Sequence, residues 1–298
     1  MIAWSMDVQG MTVKATGREA RALGVTEKTI RAYGTNVRYL EAGHGPPLVL
    51  IHGIGESASC WSANLEALAA HFHIYAPDVV GWGRTPPSDQ HDYTMASYAR
   101  FNLAFMDAIG LARANIIGWS LGGASALWAA LAEPDRFERV MLIDSAGLGA
   151  EVHWLFRVLQ VPGLGELVLA PHTAAAYLRY KYLFTRQRAT VTREYLDEAI
   201  RDTRYAWHRQ TVFRTLRAHS PLWRGQRDID VHERLHELPM PVHILWGRED
   251  AVIPCKHGER AVTRLQQGEL TIFEDCGHMP MLEYQQRFNE LAIRFFRG

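Results

Sequence analysis

The sequence predicts an α/β protein with a mostly parallel central sheet, flanking helices and a helical segment inserted late in the chain. Three observations predict it. Short β-branched, apolar runs alternate with helix-forming stretches through the first half. A glycine-flanked serine stands where one such run turns into a helix. An acid and a histidine follow, each at the end of a later run. The 298 residues can bury a large core, and 48% hydrophobic with 21% charged is the balance of an ordinary globular chain.

Taken in order, residues 48–51 read as a buried strand running into His52-Gly53-Ile54-Gly55, and 74–76 as a second running toward Asp78 and Gly81-Trp82-Gly83-Arg84. Residues 114–118 form a third, with β-branched Ile116-Ile117, and lead into Gly118-Trp119-Ser120-Leu121-Gly122. The alanine-rich stretch 121–132 is a helix that ends at Glu133-Pro134, because proline cannot continue it. A serine at such a strand-to-helix turn is strained and needs small residues two positions either side. Residues 140–143 form the next strand and end at Asp144.

Two further strands close the chain. One begins at Pro241 and runs into Gly247-Arg248-Glu249-Asp250; the other, 270–273, runs into Glu274-Asp275-Cys276-Gly277-His278-Met279-Pro280. A serine hydroxyl is a weak nucleophile until a base takes its proton, and the base needs an acid to orient it. Serine, acid, histidine is the order this sheet topology requires. Asp144 is an alternative acid, whereas Glu249 and Asp275 read as solvated loop carboxylates. His52 reads as shaping its loop, and Cys60 and Cys276 as small buried hydrophobes. Trp119 either packs beneath the turn or lines a pocket.

Between Asp144 and Pro239 the strand–helix rhythm stops. Helical stretches at 152–159, 173–184 and 192–216 replace it, broken at Val161-Pro162-Gly163 and Ser220-Pro221. We therefore expect a core of 1–145 and 239–298, with 1–30 as an N-terminal extension and 146–238 as a helical cap. From Glu151 to Arg227 the chain has thirteen Lys and Arg against six Asp and Glu, with aromatics throughout. One reading has the aromatics packing the cap onto the core and the arginines solvating it. The sharper reading is an apolar tunnel with a cationic rim, including Arg201 and Arg204, that attracts an anionic substrate or an acidic acyl carrier.

The formal charge is zero and the pI about 7.3, so no whole-chain field points to nucleic acid or a membrane. Three irregularly spaced cysteines suit neither a disulfide scaffold nor a zinc site; they suit a reducing compartment, with the cytoplasm as the default. The start of the chain lacks the features of a signal peptide. No metal-ligand spacing such as H-E-x-x-H occurs, and neither metal nor cofactor is expected.

From about Tyr33 to the C-terminus these motifs together resemble the α/β-hydrolase superfamily. The resemblance implies an α/β-hydrolase fold with an inserted cap, Ser120 as nucleophile, His278 as general base and Asp250 as acid. It also implies an oxyanion hole from the amides of Ile54 and Leu121, with Gly53, Trp119 and Met279 beside the substrate. Trp119-Ser120-Leu121-Gly122-Gly123 and Gly277-His278-Met279-Pro280 look most like serine carboxylesterases, so a small-molecule ester of small to medium acyl chain is the expected substrate. The meta-cleavage carbon–carbon hydrolases are also similar. They usually carry a longer glycine-rich oxyanion segment, an asparagine before the nucleophile and a tryptophan after the histidine, where this chain has Ile54, Trp119 and Met279. A non-catalytic small-ligand binding module on the same fold is the reading from another class.

Overall fold

The computed structural model describes residues 24–159, 161, 163, 178, 180–202, 205–219 and 229–298. Eight strands form one sheet: β1 (Thr26–Ala32), β2 (Thr35–Ala42), β3 (Pro47–Ile51), β4 (His73–Pro77), β5 (Ala114–Trp119), β6 (Phe137–Ile143), β7 (Val242–Gly247) and β8 (Gly268–Phe273). Their spatial order is β1-β2-β4-β3-β5-β6-β7-β8. The β1–β2 and β2–β4 pairs are antiparallel, and every pair from β4 to β8 is parallel. The six strands read from sequence are therefore all present and share the parallel part. After β3 the chain steps to one side to make β4, then returns to the other to make β5. Loops diverge at such a switch point and leave a crevice at the carboxyl ends of the strands.

Parallel strands are buried on both faces, which is why β5 and β7 are buried at every position. Alternate residues serve opposite faces: Val49 and Ile51 of β3 join one apolar cluster, Leu48 and Leu50 the other. Helices α1 (Ser62–Ala69), α2 (Met95–Ala108) and α3 (Leu121–Ala132) flank the sheet. The closing helix α6 (Gln285–Arg297) buries Phe288, Leu291, Ala292, Phe295 and Phe296 on one stripe. Phe288 stacks on Trp61 at 6.5 Å, and its full burial contributes about 3 kcal/mol.

The N-terminal boundary needs correcting. β1 starts at Thr26, inside the segment 1–30 expected to be an extension, and pairs along its whole length with β2. Residues 1–23 of that segment lie outside the described residues. Of the helical stretches expected within 146–238, 152–159 shortens to Leu155–Val158. The stretch 192–216 divides into α4 (Arg193–Asp202) and α5 (Ala206–His219). Tyr180–Phe184 forms a π-helical turn, while 173–177 and 179 lie outside the described residues. Arg201 pairs with Glu198 at 3.1 Å, and Arg204 is also outside them.

The β1–β2 hairpin is tied to α2 through a buried histidine. Tyr33 Oη lies 2.8 Å from Ser97 Oγ, which lies 2.9 Å from His91 Nδ1. The His91 ring meets Tyr98 edge-on at 4.4 Å, and its Nε2 has no hydrogen-bond partner among the described residues. Burial pushes the His91 pKa down to about 4, from an ordinary 6.5. The unfolded chain therefore binds the extra proton first, and stability is lost as pH falls from about 6.5 through 4, by an amount on the order of 3 kcal/mol. His91→Phe should flatten the acid side of the stability profile, measured as urea midpoints from pH 7 to 4; an unchanged slope refutes the assignment.

Candidate active site

β5 ends at Trp119 and α3 begins at Leu121, so the whole reversal falls on Ser120, at φ 55° and ψ −119°. A left-handed φ at a residue with a Cβ costs on the order of 1–3 kcal/mol and persists only when its surroundings over-determine it. Here they do. Ser120 N donates to Ile143 O at 2.9 Å, while Ser120 O accepts from Gly123 N at 3.0 Å and Ala146 N at 3.1 Å. A Cβ at Gly118 would stand 2.5 Å from Gly122 O, and one at Gly122 would stand 2.5 Å from His52 O. The small flanking residues are thus required by backbone against backbone.

Asp250 and His278 come from the loops after β7 and β8. Asp250 Oδ1 accepts from Val252 N at 2.7 Å and Ile253 N at 3.1 Å, and Oδ2 lies 2.8 Å from His278 Nδ1. His278 Nε2 lies 3.0 Å from Ser120 Oγ. With Nδ1–H donating to the carboxylate, the Nε2 lone pair faces the serine hydroxyl, the arrangement that lets an imidazole take its proton. Ser120 is 5% and His278 2% exposed, so little water dilutes the pair.

Asp144 stands close by. One oxygen or nitrogen each from Asp144, Asp250 and His278 lie within 4.8 Å of one another. Asp144 Oδ1 accepts from Gly247 N at 2.8 Å, but Oδ2 has no hydrogen-bond partner among the described residues. Burial, then the neighbouring Asp250, hold the Asp144 carboxyl well above the usual carboxylate range. A carboxyl pushed toward its neutral form is a poor metal ligand, and Asp250 and His278 already engage each other. Of the two candidate acids, Asp250 is the one bonded to the histidine.

The other expected residues divide. Leu121 contributes the first amide of α3, which has no intrahelical acceptor, and Ile54 follows the turn glycine Gly53. A Cβ on Gly53 would lie 3.1 Å from Ser120 Cβ, so that glycine holds the two loops together. His52 shapes its loop as expected: Nδ1 is 2.8 Å from Gly53 O, and Nε2 accepts from Val79 N at 3.0 Å. Trp119 and Met279 do not fit the substrate-side role. Trp119 is 2% exposed and donates Nε1–H to His278 O at 2.7 Å, while Met279 is fully buried and its carbonyl accepts from Leu282 N and Glu283 N. Both pack behind the histidine because their backbone positions turn those side chains into the core.

Sequence reasoning missed three supporting residues. Glu249 is exposed, as a solvated loop carboxylate is, yet its Oε2 accepts from Cys276 N at 2.9 Å and pins the acid loop to the histidine loop. Glu283 accepts from Gly277 N at 2.8 Å, Arg186 N at 2.6 Å and Gln187 N at 2.7 Å. Burial raises its pKa against the pull of those amides. The third is His208 of α5, which bonds Gly83 N and Gly55 O. Glu283 lay inside the histidine motif, five residues on; Glu249 and His208 carried no sequence signal beyond residue type. Asp275 is exposed and pairs with Arg186 at 3.3 Å, as a surface carboxylate does.

Comparison with known proteins agrees with this architecture. The family model described as the alpha/beta hydrolase fold matches residues 46–284. An uncharacterized protein of Mycobacterium tuberculosis (strain ATCC 25618 / H37Rv) is 31% identical over 280 residues, 90% of this chain and 80% of that protein. The 2-hydroxy-6-oxo-6-phenylhexa-2,4-dienoate hydrolase of Comamonas testosteroni is 28% identical over 298 residues, 96% of this chain and 99% of that enzyme. Among solved structures, a meta-cleavage product hydrolase from Pseudomonas fluorescens IP01 superposes with TM-score 0.79 at 29% identity, covering 92% of this chain and 98% of that one. A putative lipase from Acinetobacter baumannii AYE shares the fold with TM-score 0.80 at 24% identity, covering 97% and 98%. With its mostly parallel sheet, its serine turn and these matches, the chain belongs to the alpha/beta hydrolase fold family.

Proposed function

We propose that the protein is a serine hydrolase that cleaves carboxylic esters of small to medium acyl chain. The observation that carries this reading is the continuous hydrogen-bond line from Asp250 through His278 to the Ser120 hydroxyl. Ser120 Oγ attacks the ester carbonyl while its proton passes to His278 Nε2, and Asp250 stabilises the imidazolium. The negative carbonyl oxygen is received by the amides of Ile54 and Leu121, each worth about 3 kcal/mol at the transition state. The carbon–oxygen bond breaks as His278 returns the proton to the leaving alcohol. Water then attacks the acyl-serine by the same route in reverse, releasing the acid. We take 146–238 as the cap over a core of 1–145 and 239–298. The three free, buried cysteines favour a cytoplasmic setting.

A second reading is hydrolysis of a carbon–carbon bond in a 2-hydroxy-6-oxo-dienoate. Full-length similarity to enzymes named for that reaction favours it, whereas Trp119 and Met279 depart from the residues such enzymes usually carry. The two readings separate on substrate, with wild type and Ser120→Ala assayed in parallel on p-nitrophenyl esters from acetate to palmitate and on a phenyl-substituted dienoate. We expect Ser120-dependent turnover of the shorter esters, lost by about 10⁴-fold or more in the variant. Turnover of the dienoate alone would replace ester hydrolysis with carbon–carbon hydrolysis. No turnover and no labelling of Ser120 by a fluorophosphonate would leave a binding module.

The two acids also separate by substitution. Asp250→Asn should lower kcat by about 10⁴-fold by imposing the wrong imidazole tautomer. Asp144→Asn removes a carboxyl that does not bond the histidine and that burial already pushes toward its neutral form, so it should keep kcat within about tenfold. The reverse ranking would move the triad acid to Asp144.

A further inference from the structure

We infer that His208, a cap residue, is a positioning residue for the oxyanion hole; the inference rests on the hydrolase reading above. The turn that carries Ile54 is closed by a hydrogen bond from Glu56 N to Gly53 O at 3.3 Å, with Gly55 at φ 75°. A left-handed glycine at the third position is what a tight reversal of this kind requires. Where the Ile54 amide points therefore depends on how the whole turn is held. Two histidines hold it, one from each side.

His52 is the inner strut. Its Nε2 accepts from Val79 N at 3.0 Å and its Nδ1 reaches Gly53 O at 2.8 Å. His208 is the outer one, built the same way: Nδ1 accepts from Gly83 N at 3.0 Å and Nε2 reaches Gly55 O at 3.2 Å. An amide N–H can only donate and a carbonyl can only accept, so each ring is fixed as a single neutral tautomer. Each spans from the loop after β4 to one end of the oxyanion turn. The difference lies in their origin: His52 belongs to the turn itself, but His208 stands on α5 of the cap, 153 residues along the chain from Gly55.

The contact is built, not glancing. His208 is 3% exposed and meets Trp82 edge-on at 5.4 Å. Its neighbour Trp207 donates Nε1–H to Gly83 O at 3.3 Å, so α5 grips both polar groups of that residue. One turn further along α5, Thr211 packs so close to Gly81 that a Cβ there would stand 2.5 Å from its hydroxyl oxygen. The cap is thereby a working part of the electrophilic site: its seating sets the outer end of the turn that aims the Ile54 amide. A misplacement of about 1 Å in such a group costs on the order of 10²-fold in rate.

The test compares wild type, His208→Phe, which keeps the ring and loses both hydrogen bonds, and His208→Gln, whose amide restores one donor and one acceptor. Three quantities are read on a short p-nitrophenyl ester: kcat per fluorophosphonate-titrated site, KM, and the inhibition constant of an alkyl boronic acid that forms a tetrahedral adduct with the serine. We expect the phenylalanine variant to lose about 10- to 100-fold in kcat with KM within about threefold, and boronate affinity to fall in step, with glutamine recovering most of both. His208→Asn, too short to span both loops, should show the same paired loss if the phenylalanine variant does not fold. Unchanged kcat per site and unchanged boronate affinity in either variant, whatever happens to Tm, would reduce His208 to a packing residue. If wild type itself neither turns over the ester nor binds the boronate, the hydrolase reading falls and takes this inference with it.

Discussion

The close approach of backbone to backbone beneath Ser120 is the constraint on which the rest of the site depends. A serine can hold φ 55° only if the chain either side of it comes nearer than side chains allow. Gly118, Gly122 and Gly53 are the residues that let β5, α3 and the loop after β3 converge there. Once they converge, the serine hydroxyl is carried above the carboxyl ends of the strands. Leu121 opens α3 directly after the serine, and Gly53 of the turn holding Ile54 lies so close that a Cβ on it would stand 3.1 Å from Ser120 Cβ. Ser120, the start of α3 and the turn after β3 are thus placed by one packing event.

Around that point, buried acids are held by backbone amides more than by cations. Asp250 accepts two amides, Glu283 three and Asp144 one. Amide dipoles fixed by strand ends and turns cannot be screened away or moved by a rotamer change, so they hold a carboxylate's place without adding a mobile positive charge beside the histidine. Asp144 shows the limit of this support. With one amide, no room in water and Asp250 next to it, its carboxyl is pushed well above the usual carboxylate range. Asp250 is the acid with more amides and with the direct bond to His278.

What was legible in the sequence was what local chemistry enforces. The elbow, the strand ends and the order of serine, acid and histidine are spelled by adjacent residues, and all came together at hydrogen-bond distance. β1 escaped because Thr26-Glu27-Lys28-Thr29 has no apolar face: it is an edge strand whose side chains meet water, so neither period nor hydrophobicity marks it. The burial of Trp119 and Met279 escaped for a different reason. Standing next to a catalytic-type residue in sequence fixes where a backbone goes, not which side of the sheet its side chain enters. His208 was the least legible, one of 14 histidines, with its partners 125 and 153 residues away.

Those distant contacts share a direction. His278 N donates to Phe184 O at 2.7 Å, and Glu283 of the histidine loop accepts from Arg186 and Gln187, so residues 184–187 hold the histidine side of the site. His208 of α5 holds the turn that carries Ile54, through Gly83 N and Gly55 O. The sheet alone fixes Ser120, because its constraints are internal to β5, α3 and the loops of β3 and β6. His278 and the turn of Ile54 lie on loops whose ends are fixed by strands but whose tips are fixed by segments inserted after β6. Sequence change in the insertion can therefore retune how His278 and the turn of Ile54 meet Ser120 while leaving the elbow untouched. That division of labour gives a physical route by which one elbow serves enzymes of different substrates within the same fold.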